Sequence, residues 1–219
     1  MSKKDPRVSI PKYSLAEELI NSISHGIGAL LGIAALVLCI VYAAIKSDAW
    51  AVVGVSIYGA TLVILYTIST IYHALKINKA KRVFRVLDHC SVFLMIAGTY
   101  TPYTLVTLHG ALGWVIFGIV WGCTILGIVF NSIDVDKFQT VSVILNLVVG
   151  WIVIIAFKAL LTSLGWPGVI LLISGGVLYS VGAFLYTIGK KIKFMHSIFH
   201  FFVVAGSICH FFSIFFYVI

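Results

Sequence analysis

The chain has 219 residues, of which 61% are hydrophobic and 10% charged, with a mean hydropathy of +1.12. Soluble domains carry about 25% charged residues, so this composition excludes a soluble globular protein and points to a polytopic membrane protein. The formal charge of +8 comes from short basic clusters between apolar runs. Such clusters set topology and do not build a nucleic-acid groove, so no nucleic-acid partner is expected.

Residues 1–15 form a short basic arm carrying Lys3, Lys4, Arg7 and Lys12 with Pro6 and Pro11. No cleavable signal peptide is expected, because the first apolar run continues as a full span without a cleavage-type sequence. Ser14 has the place of a helix N-cap, with Glu17 and Glu18 in the first turn. Apolar spans then follow at about 20–45, 50–75, 86–108, 111–130, 138–161, 169–188 and 194–219, with a tight turn at Gly165-Trp166-Pro167-Gly168. Each span reaches the roughly 20 residues needed to cross a hydrocarbon core. The expectation is an all-α, seven-transmembrane helix bundle forming one domain over 16–219. The four cysteines, Cys39, Cys90, Cys123 and Cys209, have no paired spacing and read as packing residues.

Thirteen of the fifteen Lys and Arg residues fall in the arm or in the loops after the second, fourth and sixth spans. Only Lys46 and Lys158 fall on the other side. The positive-inside rule therefore puts the N-terminus in the cytoplasm and the C-terminus outside.

Threading the polar residues through that topology gathers them at one face. His73 ends the second span, Asp88 and His89 begin the third, and His196 and His200 begin the seventh. Glu17, Glu18, Asn21, Ser24 and His25 begin the first. His196 and His200, four apart, return within roughly 40° on a helix, the spacing with which one face grips a metal with two imidazoles. The same spacing also suits interfacial or core histidines that hold no metal, and the pair alone does not choose. Three imidazoles with one open position form a catalytic zinc pattern, and His73, His196 and His200 are the candidates. Asp88 then suits a proton acceptor better than a fourth ligand, and Ser69, one turn before His73, suits a hydrogen-bond donor beside it. Glu18, Asn21 and His25 share one face of the first span and read equally as support for the site or as packing. His210, ten residues past His200, lies about 15 Å deeper and is expected to make a buried hydrogen bond. His109 reads as a loop residue, and Asp134 and Asp136 as a solvated cytoplasmic turn.

The series Glu18-x-x-Asn21-x-x-Ser24-His25, Ser69-x-x-x-His73, Asp88-His89, Ala97-Gly98-Thr99-Tyr100-Thr101-Pro102 and His196-x-x-x-His200 with His210 resembles the bacterial haemolysin III family. That family groups with the progestin and adipoQ receptors and, more distantly, the alkaline ceramidases. The resemblance implies a seven-helix bundle with a cytoplasmic N-terminus and a zinc site made by His73, His196 and His200, with Asp88 and Ser69 beside it. It further implies hydrolysis of a lipid amide such as a ceramide, membrane lipids as partners, and a part in lipid homeostasis. Three readings follow: a zinc-dependent lipid amide or ester hydrolase, a non-enzymatic regulator of membrane state with structural zinc, and a cytolysin. Few polar residues line the outer half of the spans, and a pore would need them.

Overall fold

The computed structural model describes residues 8–189 and 191–219. Lys3, Lys4, Pro6 and Arg7 of the arm, and Lys190, lie outside the described residues. Helices dominate and no strand occurs among the described residues. The order is α1 (Leu15–Lys46), α2 (Ala49–Ala74), α3 (Lys79–Pro102), α4 (Gly110–Asp134), α5 (Gln139–Gly150), α6 (Phe157–Ile188) and α7 (Met195–Tyr217). A π-turn, Tyr103–Thr107, extends α3, and a 3-10 turn, Ile152–Ala156, joins α5 to α6.

Short polar caps start the first three helices. Ser14 Oγ accepts from Glu17 N while the Glu17 carboxylate accepts from Ser14 N at 2.9 Å, a reciprocal box that satisfies two orphan donors. Asp48 caps α2 through Ala51 N at 2.8 Å, and Asn78 caps α3 through Lys81 N at 2.8 Å. The turn before α4 passes through His109 and Gly110, both at positive φ, which bears out His109 as a loop residue.

Among the described residues, six helical runs are long and apolar enough to cross a membrane by length and composition. The fifth, Gln139–Ile188, is 50 residues long and covers the fifth and sixth spans expected from the sequence. It is not one straight helix. Gly165 has φ 65 and ψ 175, non-helical values that fall in the expected turn. The break at the end of α5 was not expected. There Tyr100 Oη donates to Gly150 O at 2.8 Å and accepts from Val153 N at 2.9 Å, so one phenol satisfies backbone groups that the broken helix releases.

The apolar side chains face both inwards and outwards. Tyr58, Leu62, Met95, Val120 and Leu160 are buried between helices, while Leu30, Ile155 and Phe184 are more than 60% exposed on the outside. An apolar exterior around helices of this length suits hydrocarbon as the solvent. Close approach of α1 to α2 depends on Gly28, where a Cβ would come within 2.7 Å of the Tyr66 ring. That approach brings the first turns of α1 against the end of α2.

Candidate metal centre

His73 is delivered by the last turn of α2, and His196 and His200 by the first turns of α7. All three are buried, and each offers one nitrogen to a group lying within 4.8 Å of one another, a set that could hold a metal ion. His196 Nε2 and His200 Nε2 face each other at 3.2 Å. His73 Nε2 is buried with no hydrogen-bond partner. Its other nitrogen explains why: Nδ1–H donates to Glu18 Oε2 at 2.8 Å, which leaves a lone pair on Nε2. Asn21 lies beside the same Nδ1, with its amide nitrogen at 3.4 Å.

Glu18 is itself held. Lys81 Nζ donates to Glu18 Oε1 at 2.6 Å and to Leu75 O at 2.9 Å. The sequence alone reads Lys81 as loop charge, yet it is only 2% exposed. A chain of three polar residues from α1, α2 and α3 thus fixes the orientation of one imidazole. Carboxylates that grip the far nitrogen of a metal-binding histidine do this commonly.

Asp88 and Ser69 line one cavity with His196 and His200. Asp88 is not among the clustered nitrogen donors. His25 is closer than its reading as support required: its ring centroid is 3.8 Å from that of His200. His89 turns away and donates from Nδ1 to Arg85 O at 2.9 Å, while Nε2 accepts from Tyr186 Oη at 3.0 Å. His210 is far down α7, and the expected buried hydrogen bond is not there at Nδ1, which has no partner.

The end of the bundle that holds the three histidines is covered by the arm. The Tyr13 ring stacks on His196 at 4.9 Å and 18°, and lies 5.9 Å from His73. Burial, then the neighbouring Tyr186 and Glu18, push the Tyr13 phenol well above its ordinary pKa, so it stays neutral. Ser9 N donates to Asp136 Oδ2 at 2.6 Å, Arg85 Nη2 donates to Asp136 Oδ1 at 2.6 Å, and Arg85 Nη1 donates to Ser9 O. Asp136 is therefore a clasp between the arm, α3 and the α4–α5 turn. This corrects its reading as a solvated residue. Asp134 does act in the turn, where Oδ1 accepts from Asp136 N and Lys137 N. Tyr13 and Arg85 escaped the sequence reading because only their partners, not their spacing, mark them; an aromatic just before the Ser14 cap was the one available signal.

From the histidine layer a cavity of about 180 Å³ runs between α2, α3, α4, α5, α6 and α7, includes Leu172 and His210 in its wall and reaches Leu108, Ile116 and Leu160, lined mostly by apolar side chains. A buried apolar channel that starts at polar groups suits a ligand with a polar head and a hydrocarbon chain.

A family profile described as Haemolysin-III related matches residues 13–211. The chain is 43% identical over 203 residues to "Hemolysin-3" of Bacillus cereus, covering 93% of this chain and 92% of that protein. It is 44% identical over 205 residues to a "Hemolysin-3 homolog" of Bacillus subtilis (strain 168), covering 94% and 96%. The "Monocyte to macrophage differentiation factor" of Homo sapiens is 23% identical over 219 residues, covering 98% and 90%. Apolar helices and bacterial relatives together make this a multi-pass integral membrane protein, which in bacteria resides in the plasma membrane. By the extent of the profile match and the identity to both Bacillus proteins, the chain belongs to the haemolysin-III related family.

Proposed function

We propose that this protein is a zinc-dependent membrane hydrolase acting on a lipid amide or ester, with an effect on membrane lipid homeostasis. One observation carries the reading: three buried imidazoles converge, and two of them, His196 and His200, line the apolar cavity that also holds Asp88 and Ser69. The donor set fits zinc, because three neutral nitrogens with a buried, unpartnered His73 Nε2 are what such an ion satisfies. His73, His196 and His200 would hold the ion, and Glu18 holds His73 in the tautomer that presents Nε2. When bound, zinc supplies Lewis-acid polarisation of a carbonyl and brings the pKa of water to about 7. Asp88 accepts the proton from the attacking water and returns it to the leaving group. Ser69 donates its one O–H to the oxygen on which charge develops. The cavity orients the substrate by its chain, while Tyr13 and the clasped arm exclude cytoplasmic water.

Seven crossings fit the chain better than six. A straight 50-residue run would span about 75 Å, against a hydrocarbon core of about 30 Å. The non-helical Gly165 interrupts this run, which supports reading it as two crossings. With the basic loops inside, the N-terminus is cytoplasmic and the C-terminus extracytoplasmic.

Elemental analysis of detergent-purified protein tests the metal. About one zinc per chain is expected, lost in His73→Ala and His200→Ala; no metal in chelator-free wild type overturns the hydrolase reading. Asp88→Ala should keep the metal and lose lipid hydrolysis, and normal turnover by that variant removes Asp88 from the proton transfer.

A regulator with structural zinc is the second reading. The observation that favours it is the Tyr13 ring lying on His196, which closes the cytoplasmic side of the site. It predicts stoichiometric zinc with no lipid product from any membrane extract. The cytolysin reading rests on the names of the Bacillus relatives and predicts lysis of red cells by the purified protein.

A further inference from the structure

His210 is the histidine that the metal centre leaves over. It sits on α7 about 15 Å beyond His200 along the helix axis, and it is 6% exposed. Its ring is stacked on Tyr179, with centroids 5.2 Å apart and planes 15° from parallel. On another edge it packs against α6 at Gly175, where any Cβ would collide with His210 Cδ2 and Nε2. Two neighbours thus hold the ring in one orientation. An imidazole placed this firmly within hydrocarbon normally has its nitrogens satisfied, because lipid supplies no partner. Yet His210 Nδ1 has none among the described residues.

The hydroxyls around the ring are committed elsewhere. Tyr179 Oη donates to Met95 Sδ at 3.4 Å and accepts from Ser207 Oγ at 2.8 Å. Ser207 Oγ accepts in turn from Tyr66 Oη at 2.6 Å. His210 and Tyr179 both line the cavity that begins at Asp88 and the metal-centre histidines. A fixed hydrogen-bonding ring therefore waits in the wall of an apolar channel, about 15 Å from its polar head. A charged ligand group does not suit it, because no Asp, Glu, Lys or Arg lines this cavity apart from Asp88 at the other end. A neutral oxygen does.

We propose that His210, backed by the face of Tyr179, is a distal subsite that binds a neutral hydroxyl or oxo group carried on the hydrocarbon chain of the lipid. With the chain's head at the three histidines, the group would sit roughly a dozen methylenes along an extended chain, to match about 15 Å of helix. The subsite rests on the lipid reading of the cavity and deepens it: the substrate class becomes a lipid with an oxygenated acyl chain. A hydroxyl suits the ring in either tautomer, since it both donates and accepts.

The test is displacement of a fluorescent fatty acid from detergent-purified protein by stearate, 12-hydroxystearate and 18-hydroxystearate. One extra net hydrogen bond should make 12-hydroxystearate bind about five-fold more tightly than stearate. The terminal hydroxyl of the third acid lies past the ring and should give no gain. In His210→Phe, which keeps a flat ring against Tyr179, the preference for 12-hydroxystearate over stearate should vanish. If stearate displaces the probe and the mid-chain hydroxyl adds nothing, the subsite is overturned and the lipid cavity stands. If a preference persists in His210→Phe, the hydroxyl binds elsewhere and the assignment to His210 is wrong. If no acid displaces the probe, both the subsite and the lipid reading fall. Should His210→Phe not fold, the contrast between the two hydroxy acids on the wild type decides alone.

Discussion

Glu18 illustrates how one carboxylate sets the chemistry of its neighbours. It accepts from His73 Nδ1 at 2.8 Å and from Lys81 Nζ at 2.6 Å, so a buried cation and an imidazole share one anion. The pairing stabilises little by itself, because desolvation offsets most of the attraction between buried charges. Its effect is directional: it keeps the proton on Nδ1 and the lone pair on Nε2, facing His196 and His200. Glu18→Gln keeps the shape and removes the charge that holds that tautomer. Zinc affinity, measured by chelator competition, should fall about 10- to 100-fold, as for other partners of metal-binding histidines. An unchanged affinity would mean that Glu18 serves Lys81 alone.

Two elements carry their own tests. The arm is clasped by Asp136, whose carboxyl burial alone would raise; the hydrogen bond and charge of Arg85, with Ser9, outweigh this and hold it below the ordinary carboxylate range. A folded pKa below the unfolded value means that the stabilisation is fully present above the unfolded pKa of about 4 and is lost as pH falls through the folded value. The clasp should thus hold at neutral and mildly acidic pH and open only in stronger acid. Hydrogen exchange of the Ser9 amide, corrected for its intrinsic pH dependence, should show protection that collapses only below that range. Asp136→Asn should lose the protection at neutral pH. The second element is the break after α5, which Tyr100 bridges. Tyr100→Phe strands a carbonyl and an amide in hydrocarbon and should cost about 2 kcal/mol. Thermal melts in detergent should show this loss, while Tyr58→Phe, which removes a buried hydroxyl that has no partner, should cost little. Equal losses in the two variants would show that the Tyr100 bonds contribute nothing.

At the scale of the whole molecule, charge and length together constrain the path through the bilayer. An odd number of crossings places the termini on opposite sides, and an even number brings them together. Alkaline phosphatase fused after Ile219 should therefore be active, and a fluorescent protein fused there should be dark, with the reverse at the loop holding Lys79 and Arg82. A bright fluorescent fusion and an inactive phosphatase fusion after Ile219 would return the count to six. The bundle also concentrates its polar groups at one end: the three histidines, Asp88, Glu18 and Lys81 lie together, while a mostly apolar cavity leads away from them. On the proposed function, this asymmetry would give a lipid substrate one orientation in which its polar head meets the donors.

Much of this was legible in the sequence. Helix class, helix order, the Ser14 cap, the turn at Gly165 and the meeting of His73, His196 and His200 follow from local rules. Apolar runs in lipid must be helical, and helical periodicity then fixes which residues share a face and a depth. Other features depended on how neighbouring helices are rotated against each other, which no spacing encodes. Glu18 reaches Lys81 across 63 positions, Ser9 reaches Asp136 across 127, and Glu17 takes the Phe194 amide across 177. Residues read from sequence as loop charge, Lys81 and Arg85, are buried because such distant partners neutralise them. His210 reversed its expectation for the same reason, since its contacts are set by where Gly175 and Tyr179 of α6 meet α7. Sequence determined which groups reach the histidine layer, because depth follows from counting along a helix. Tertiary structure alone decided which of them are paired, covered or left open, because pairing depends on the approach of side chains far apart in the chain.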